Sequence, residues 1–203
     1  AAPIATALAF WALALAVGAA LGAYAPHTTP GTAIALEEVQ SDWQVQEGSL
    51  SIEVSQLGSD VTGTFADWTA AISFDETIDN GPAGTVEVTV SIGSLTLGSV
   101  TAQAMGADFF DADGFPTATY SADIVAVVDG YEAQGTLTIK GQSMPLPLPF
   151  SLAVEDGTAM MASKITLDRR SFGIGDNMAD ETSLKFAVGV NVDLTASRSD
   201  ATD

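Results

Sequence analysis

Apolar and polar residues alternate with a period of two along most of the second half of the chain. Successive side chains of a β-strand point to opposite faces, so this pattern predicts strands with one buried and one solvent-facing side. Repeated one-sided strands are typical of an antiparallel sheet around a shared apolar interior. The cleanest alternation is C-terminal, with its apolar positions at Leu184, Phe186, Val188, Val190, Val192 and Leu194.

Residues 137–152 predict a β-hairpin that turns at Gly141-Gln142-Ser143. In its second half, prolines at positions 145, 147 and 149 alternate with apolar residues. Proline has no N–H to donate to a neighbouring strand, and is therefore confined to edges and irregular positions. This second strand is predicted to be irregular or to lie at a sheet edge near its start.

Turn dipeptides such as Asp129-Gly130 and Asp156-Gly157 separate the alternating runs, which number about eight. Residues 94–108 lose the alternation and predict one short helix. A sheet of that size removes its edges most simply by closing on itself. The predicted fold is all-β, an antiparallel barrel of about eight strands that is filled by side chains or holds one slender apolar ligand.

Residues 1–25 contain no charged side chain and are long enough for a membrane-spanning helix, which needs about 20 apolar residues. The competing interpretation is a cleavable signal peptide, because Ala23-Tyr24-Ala25 has the small-x-small form of a cleavage site. A basic start is missing and Pro26 would follow the cut, which favours a retained helix. We therefore predict a transmembrane helix at 1–25, a linker at 26–40, the barrel domain at 41–198 and a tail at 199–203.

The composition of the chain excludes several classes of function. The net charge is −20, with six basic residues against 26 acidic ones. Such a chain would repel the phosphates of nucleic acid, so nucleic-acid binding is not expected. There is no cysteine, which excludes disulfides and thiolate chemistry. The predicted inward positions are apolar, and they supply no acid–base pair, nucleophile or metal cluster. We therefore expect no enzyme activity, no metal site and no covalent cofactor.

Four segments together resemble the YceI-like family of periplasmic polyisoprenoid-binding proteins. They are residues 63–75, residues 108–120 with Phe109-Phe110 and Phe115-Pro116, residues 135–141, and Leu167-Asp-Arg-Arg-Ser-Phe-Gly-Ile-Gly175. The resemblance covers about residues 43–196 with the segments in the family's order. It implies a lipocalin-like barrel with a long apolar tunnel, a bound isoprenoid chain such as a polyprenyl lipid or quinone tail, a periplasmic location and no catalysis.

The chain departs from the family at one place. Many members carry an Arg-Asp pair before the Phe-Phe segment, whereas Gln103-Ala104 stands near that position here. The basic residue that could bind the polar head of a ligand at this position in other members is therefore missing here. The sequence also resembles those of relatives that are fused behind membrane b-type cytochromes. That likeness implies a single-pass protein of the bacterial inner membrane, with its barrel in the periplasm.

The resemblance and the apolar pattern nominate one set of ligand-binding candidates. The phenylalanines either line a tunnel or fill the barrel as core, because both are built from the same residues. The arginine either meets a polar head group or makes structural hydrogen bonds to loop carbonyls and acidic neighbours. The candidates are Phe109, Phe110, Phe115, Phe150, Phe172, Phe186, Val188 and Arg169.

Two hypotheses for the function remain open. In the first, a membrane-anchored barrel binds an isoprenoid lipid or quinone tail, as an accessory subunit of a respiratory or photosynthetic membrane complex. In the second, the barrel holds no ligand and the helix docks on a membrane partner. Gly18 and Gly22 form a GxxxG pattern that permits close helix packing in lipid.

Overall fold

The computed structural model describes residues 34–36 and 41–199. This part of the chain is built from strands and one short α-helix. The strands are β1 (Trp43–Gln56), β2 (Ser59–Phe65), β3 (Trp68–Phe74), β4 (Gly81–Ser91), β5 (Leu95–Thr96), β6 (Thr117–Val127), β7 (Gly130–Ile139), β8 (Gln142–Glu155), β9 (Thr158–Asp168) and β10 (Ala187–Arg198), and the helix is α1 (Thr101–Met105).

The strands form one curled antiparallel sheet in the order β3-β4-β6-β7-β8-β9-β10-β1-β2-β5. The all-β antiparallel prediction is confirmed, but the count of about eight strands is wrong, because the sheet has ten. One reason is β5, whose two residues, Leu95 and Thr96, are too few to show a period of two. Nor does the ladder of described strands close on itself, since β3 and β5 remain its two ends.

Residues before and at the start of β1 bring the two sides of the curled sheet together. The backbone N–H of Asp42 donates to the carbonyl of Ile72 at 2.9 Å. The indole Nε1 of Trp43 donates to the carbonyl of Phe74 at 3.0 Å. These bonds fix the edge strand β3 against β1 and enclose an apolar interior at that end.

β8 changes partners part-way along its length. Residues Gln142–Phe150 pair with β7, and only Ser151–Glu155 pair with β9. Proline at 145, 147 and 149 cannot complete a ladder on both sides, so the prediction of an edge near the strand's start is confirmed. Between Gln142–Phe150 of β8 and Ser163–Asp168 of β9 the wall has a split, which we call the seam. Ser163 Oγ donates across it to the carbonyl of Pro149 at 2.7 Å.

The short helix predicted within residues 94–108 is present as α1, next to 3-10 turns at Ile92–Ser94 and Gly98–Val100. The predicted transmembrane helix at 1–25 and most of the linker at 26–40 lie outside the described residues. Within the described ranges, no helix has the length and apolarity needed to cross a membrane.

Alternation along β6 places one set of side chains in the interior. Ala118, Tyr120, Ala122 and Ile124 are buried, whereas Thr119, Ser121 and Asp123 face solvent. The inward parity of β10 likewise packs Val188 and Val190 against the core around Ile52. Burying these apolar groups contributes about 25 cal/mol per Å² removed from water. The strands are thus held around an interior that is wider than its side chains fill.

Candidate functional site

Two cavities follow one another inside the curled sheet. The first, here the upper cavity, lies beside α1 and has a volume of about 180 Å³. The second, the lower cavity, lies towards the start of β1 and has a volume of about 200 Å³. Five residues line both cavities and form a waist between them: Leu50, Val90, Leu137, Leu167 and Val190.

The lower cavity is apolar throughout. Two of its amphipathic residues turn their polar atoms to the backbone: Trp43 Nε1 donates to the carbonyl of Phe74, and the Tyr120 hydroxyl lies 2.8 Å from the carbonyl oxygen of Ala133. Burial of this hydroxyl raises the pKa of Tyr120 to about 12, with a smaller contribution from the charge of Glu132. The cavity wall therefore presents only hydrocarbon and aromatic faces to whatever occupies it.

The upper cavity has a polar side. Among its lining residues, only Gln56, Gln103 and Arg169 carry polar side chains, and the rest are apolar. Gln56 follows Leu50, Ile52 and Val54 on the inward parity of β1, and Gln103 lies on α1 with its side chain exposed. Because Gln103 touches both the cavity and solvent, this side is the mouth of the interior.

Six of the eight candidate residues line the cavities. Phe109, Phe110, Phe172, Val188 and Arg169 line the upper cavity, and Phe150 lines the lower cavity. Phe110 meets Phe65 edge-on, with ring centroids 6.3 Å apart. Phe150 stacks on Tyr131 at 5.6 Å. Aromatic pairs of this kind hold the rings in fixed positions while leaving one face towards the cavity.

Phe115 and Phe186 lie outside both cavities. Phe115 is 38% exposed, and its ring lies over the β7–β8 turn, where a Cβ atom added to Gly141 would be 3.0 Å from it. Phe186 precedes β10, which begins at Ala187, so the alternation of that strand does not extend to it. Its ring instead lies 3.8 Å from the guanidinium carbon of Arg170.

Arg169 is 3% exposed, and its guanidinium holds the loop that follows β9. Arginine has five N–H donors, and here all of them point at backbone carbonyls. Nε donates to Lys185 at 3.1 Å, Nη1 to Ile174 and Gly175 at 2.7 Å each, and Nη2 to Met178 at 2.7 Å and Leu184 at 3.2 Å. Burial lowers the pKa of Arg169, and the nearby Asp168 opposes that shift.

Arg170 points the other way. Its Nε donates to Asp168 Oδ1 at 2.9 Å, and its guanidinium covers the ring of Phe186. The hydrogen bond from Arg170 holds the pKa of Asp168 below its usual value. Both partners are about half exposed, so this ion pair orders the loop more than it stabilises the fold.

The described residues contain no group of three or more His, Cys, Asp or Glu side chains placed to hold a metal ion. What the interior offers is an apolar channel with amide groups at one end. Such a site can enclose a slender hydrocarbon chain and hydrogen-bond a polar group at the mouth.

Comparison with known families identifies the domain. The model of the YceI-like domain matches residues 43–197. The chain belongs to the YceI-like domain family. No curated protein matches the YceI-like chain by sequence.

Solved structures share the fold. BcnA of Burkholderia cenocepacia is 26% identical to this YceI-like chain with a TM-score of 0.69, over 77% of this chain and all of BcnA. The YCEI protein of Campylobacter jejuni is 19% identical with a TM-score of 0.60, over 86% and 95% of the two chains. A polyisoprenoid binding domain from Saccharophagus degradans, implicated in plant cell wall breakdown, is 13% identical with a TM-score of 0.57, over 77% and 97%.

Several cavity residues of this YceI-like domain were not among the candidates. Gln56 continues the inward parity of β1, so the sequence alternation could have found it. Trp43 could not be found in that way, because the β1–β10 register shifts between Val45 and Glu47 and reverses the parity before it. Trp68, in the edge strand β3, also lines the lower cavity.

Proposed function

We propose that this chain is a binding protein that encloses the apolar tail of an isoprenoid lipid or of a quinone. The observation that carries this proposal is the pair of adjoining cavities with an all-apolar lower part and polar side chains only at the mouth. An amphipathic molecule with one polar head and a long tail matches that distribution. Burial of the tail supplies affinity in proportion to the area removed from water.

Membership of the YceI-like family supports the same ligand class. The structurally similar domain from Saccharophagus degradans is a polyisoprenoid binding domain, and its fold is that of this chain. The proposal for this chain also draws on its own cavity walls, in which apolar side chains from both halves of the curled sheet face each other. We propose no catalytic role, since the polar groups lining the upper cavity are two amides and a guanidinium engaged with carbonyls.

We further propose that the domain lies in the periplasm, anchored to the inner membrane of a bacterium through residues 1–25, as an accessory subunit of a respiratory or photosynthetic complex. The uncharged apolar run at residues 1–25 supports anchoring. Such an anchor would keep the domain close to a membrane that contains isoprenoid lipids and quinones. Membrane fractionation of the full chain and of a chain lacking residues 1–25 tests this part: equal release of both into the soluble fraction would contradict it.

Extraction of the purified full chain tests ligand binding. The protein is isolated under mild conditions, extracted with organic solvent and analysed by mass spectrometry for prenyl lipids and quinones. An equal amount of an unrelated membrane-anchored protein, purified in parallel, controls for lipid carried over from the membrane. We expect a prenyl compound enriched over that control in stoichiometric amount. No enrichment in repeated preparations, together with no uptake of added prenyl lipid, would overturn the proposal.

A further inference from the structure

The charge distribution at the mouth indicates which kind of head group the site accepts. All six basic residues of the chain lie in the described part of the structure, so each can be followed. Only Arg169 lines a cavity, and its donors are used by five carbonyls. A phosphate or carboxylate head would need a cation with free donors to offset its desolvation.

The remaining cations are engaged or face away from the cavities. Lys140 Nζ donates to the carbonyls of Ala107 and Gly173 at 2.8 and 3.0 Å. Arg170 is paired with Asp168, and Lys185 has an exposed side chain outside the cavity lining. The other two do not line the cavities, and each is paired with a carboxylate: Lys164 with Glu53 and Arg198 with Glu76.

Acidic residues are frequent in the two segments that contribute to the wall of the upper cavity. The loop between α1 and β6 contributes Phe109 and Phe110 to the cavity wall, and the segment between β9 and β10 contributes Phe172 and Ile174. Both segments are rich in acidic residues, which repel an anion approaching the interior. These residues are Asp108, Asp111 and Asp113 in the first segment, and Asp176, Asp180 and Glu181 in the second.

We infer that the site selects an isoprenoid whose head is uncharged and carries a carbonyl or hydroxyl oxygen, and that the amides of Gln56 and Gln103 receive this head. A glutamine amide donates to a carbonyl and both donates to and accepts from a hydroxyl. A prenyl alcohol and a prenyl quinone share this chemistry, whereas a prenyl diphosphate lacks it and is repelled. This inference rests on the proposed binding of an isoprenoid tail.

Tryptophan fluorescence can report binding of the tail. Trp43 and Trp68 line the lower cavity, so a tail that reaches it changes their emission. The third tryptophan, Trp11, is replaced by phenylalanine to remove its signal. The full chain in phosphatidylcholine nanodiscs is titrated with geranylgeraniol, a benzoquinone bearing the same tail and geranylgeranyl diphosphate. Partition of each probe into protein-free nanodiscs is measured and subtracted. Comparison of the first two probes shows whether the site prefers the alcohol or the quinone.

We expect the two neutral probes to bind at least about tenfold more tightly than the diphosphate, because like-charge contacts and an unpaired buried anion disfavour the latter. Gln103→Lys adds a cation at the mouth and should reduce that preference about tenfold. Gln134→Lys is the matched control, because it adds the same charge on an exposed position of β7. Gln56→Leu should weaken binding of the neutral probes and leave the diphosphate unchanged.

Each outcome decides between the possibilities. Equal or tighter binding of the diphosphate by the unaltered mouth would overturn the inference about the head while leaving tail binding intact. Equal shifts from Gln103→Lys and Gln134→Lys would show that the head does not lie at this mouth, and would overturn it as well. If no probe changes tryptophan emission or binds by calorimetry, the tail-binding proposal fails together with the inference.

Discussion

Gly48 lies directly against the indole ring of Trp68, so close that a Cβ atom at Gly48 would be 2.6 Å from Cζ2 of that ring. The ring lines the lower cavity. The absence of a side chain at Gly48 therefore sets how far Trp68 withdraws from the space that an isoprenoid tail would fill.

Gly48→Ala should push the Trp68 ring towards the lower cavity. We expect a loss of about 1–3 kcal/mol in the free energy of unfolding, as for other overpacked cores, together with weaker tail binding. Urea denaturation and titration with geranylgeraniol measure the two effects. Gly189→Ala is the control, because the nearest atoms to its Cβ would be those of the Glu53 side chain, at 3.2 Å or more. Equal losses from both variants would contradict the proposed contact.

Val190→Phe should block the waist between the cavities. Val190 lines both, and a phenyl ring there would occupy the space through which a tail passes. We expect prenyl lipid to disappear from extracts of the purified protein while the circular dichroism of the sheet is retained. Asp193→Phe places the same ring on an exposed position of β10 and should leave lipid content unchanged. Full lipid occupancy in the Val190 variant would mean that the tail does not cross the waist.

Arg169→Met should destabilise the domain strongly. The substitution leaves five backbone carbonyls without their donor, at Ile174, Gly175, Met178, Leu184 and Lys185. Removing one partner of a buried charged network costs about 3–5 kcal/mol. Arg170→Met breaks only the exposed pair with Asp168 and should cost about 1 kcal/mol or less. Urea denaturation compares the two.

Should Arg169→Met fail to accumulate in folded form, Arg169→Lys provides the same comparison with part of the network kept. It should lie between the wild type and the methionine variant. If substitutions at Arg169 and Arg170 reduce the free energy of unfolding equally, Arg169 does not hold the loop in place.

Tyr120 should make the fold sensitive to alkaline pH. Its pKa is about 12 in the folded protein against 10.0 unfolded, so the folded state holds the proton more tightly. The resulting stability is present in full below pH 10 and is lost as the pH rises towards 12. Phenylalanine does not ionise, so Tyr120→Phe lacks this pH-dependent contribution to the free energy of unfolding. The stability difference between wild type and variant should therefore shrink over that range. Below pH 10 the variant should be less stable by about 1 kcal/mol, the usual worth of one hydrogen bond.

Denaturant unfolding at a series of pH values from 7 to 12 measures this difference. Tyr131, whose ring stacks on Phe150, provides the control through Tyr131→Phe. A constant gap between wild type and Tyr120→Phe up to pH 12 would contradict the assigned cause.

The alternation of the sequence predicted which faces of β6 and β10 turn inward, because burial on one face of a strand leaves a period of two. It failed where the backbone departs from regular extension. The chain bends before Ala187, so Phe186 leaves the interior, and the register shift at Val45 reverses the parity that leads to Trp43. Hydrogen bonds from Arg169 to loop carbonyls were one of the two alternatives for that residue, and the structure confirms them, although their number could not be predicted. Nothing in the sequence placed Gln103 on the cavity side of a helix that begins only at Thr101.

The seam between β8 and β9 bears on how selective the interior can be towards tails. Along Gln142–Phe150, β8 has no ladder partner in β9, so the two strands can separate there without loss of paired backbone between them. The cross-section of the channel is then set by side-chain packing and by the bond from Ser163 to Pro149, both of which yield more easily than a ladder. Tails that differ in branching or in double-bond geometry would meet a compliant wall. Discrimination among isoprenoids would therefore depend on the head group and its contacts at the mouth.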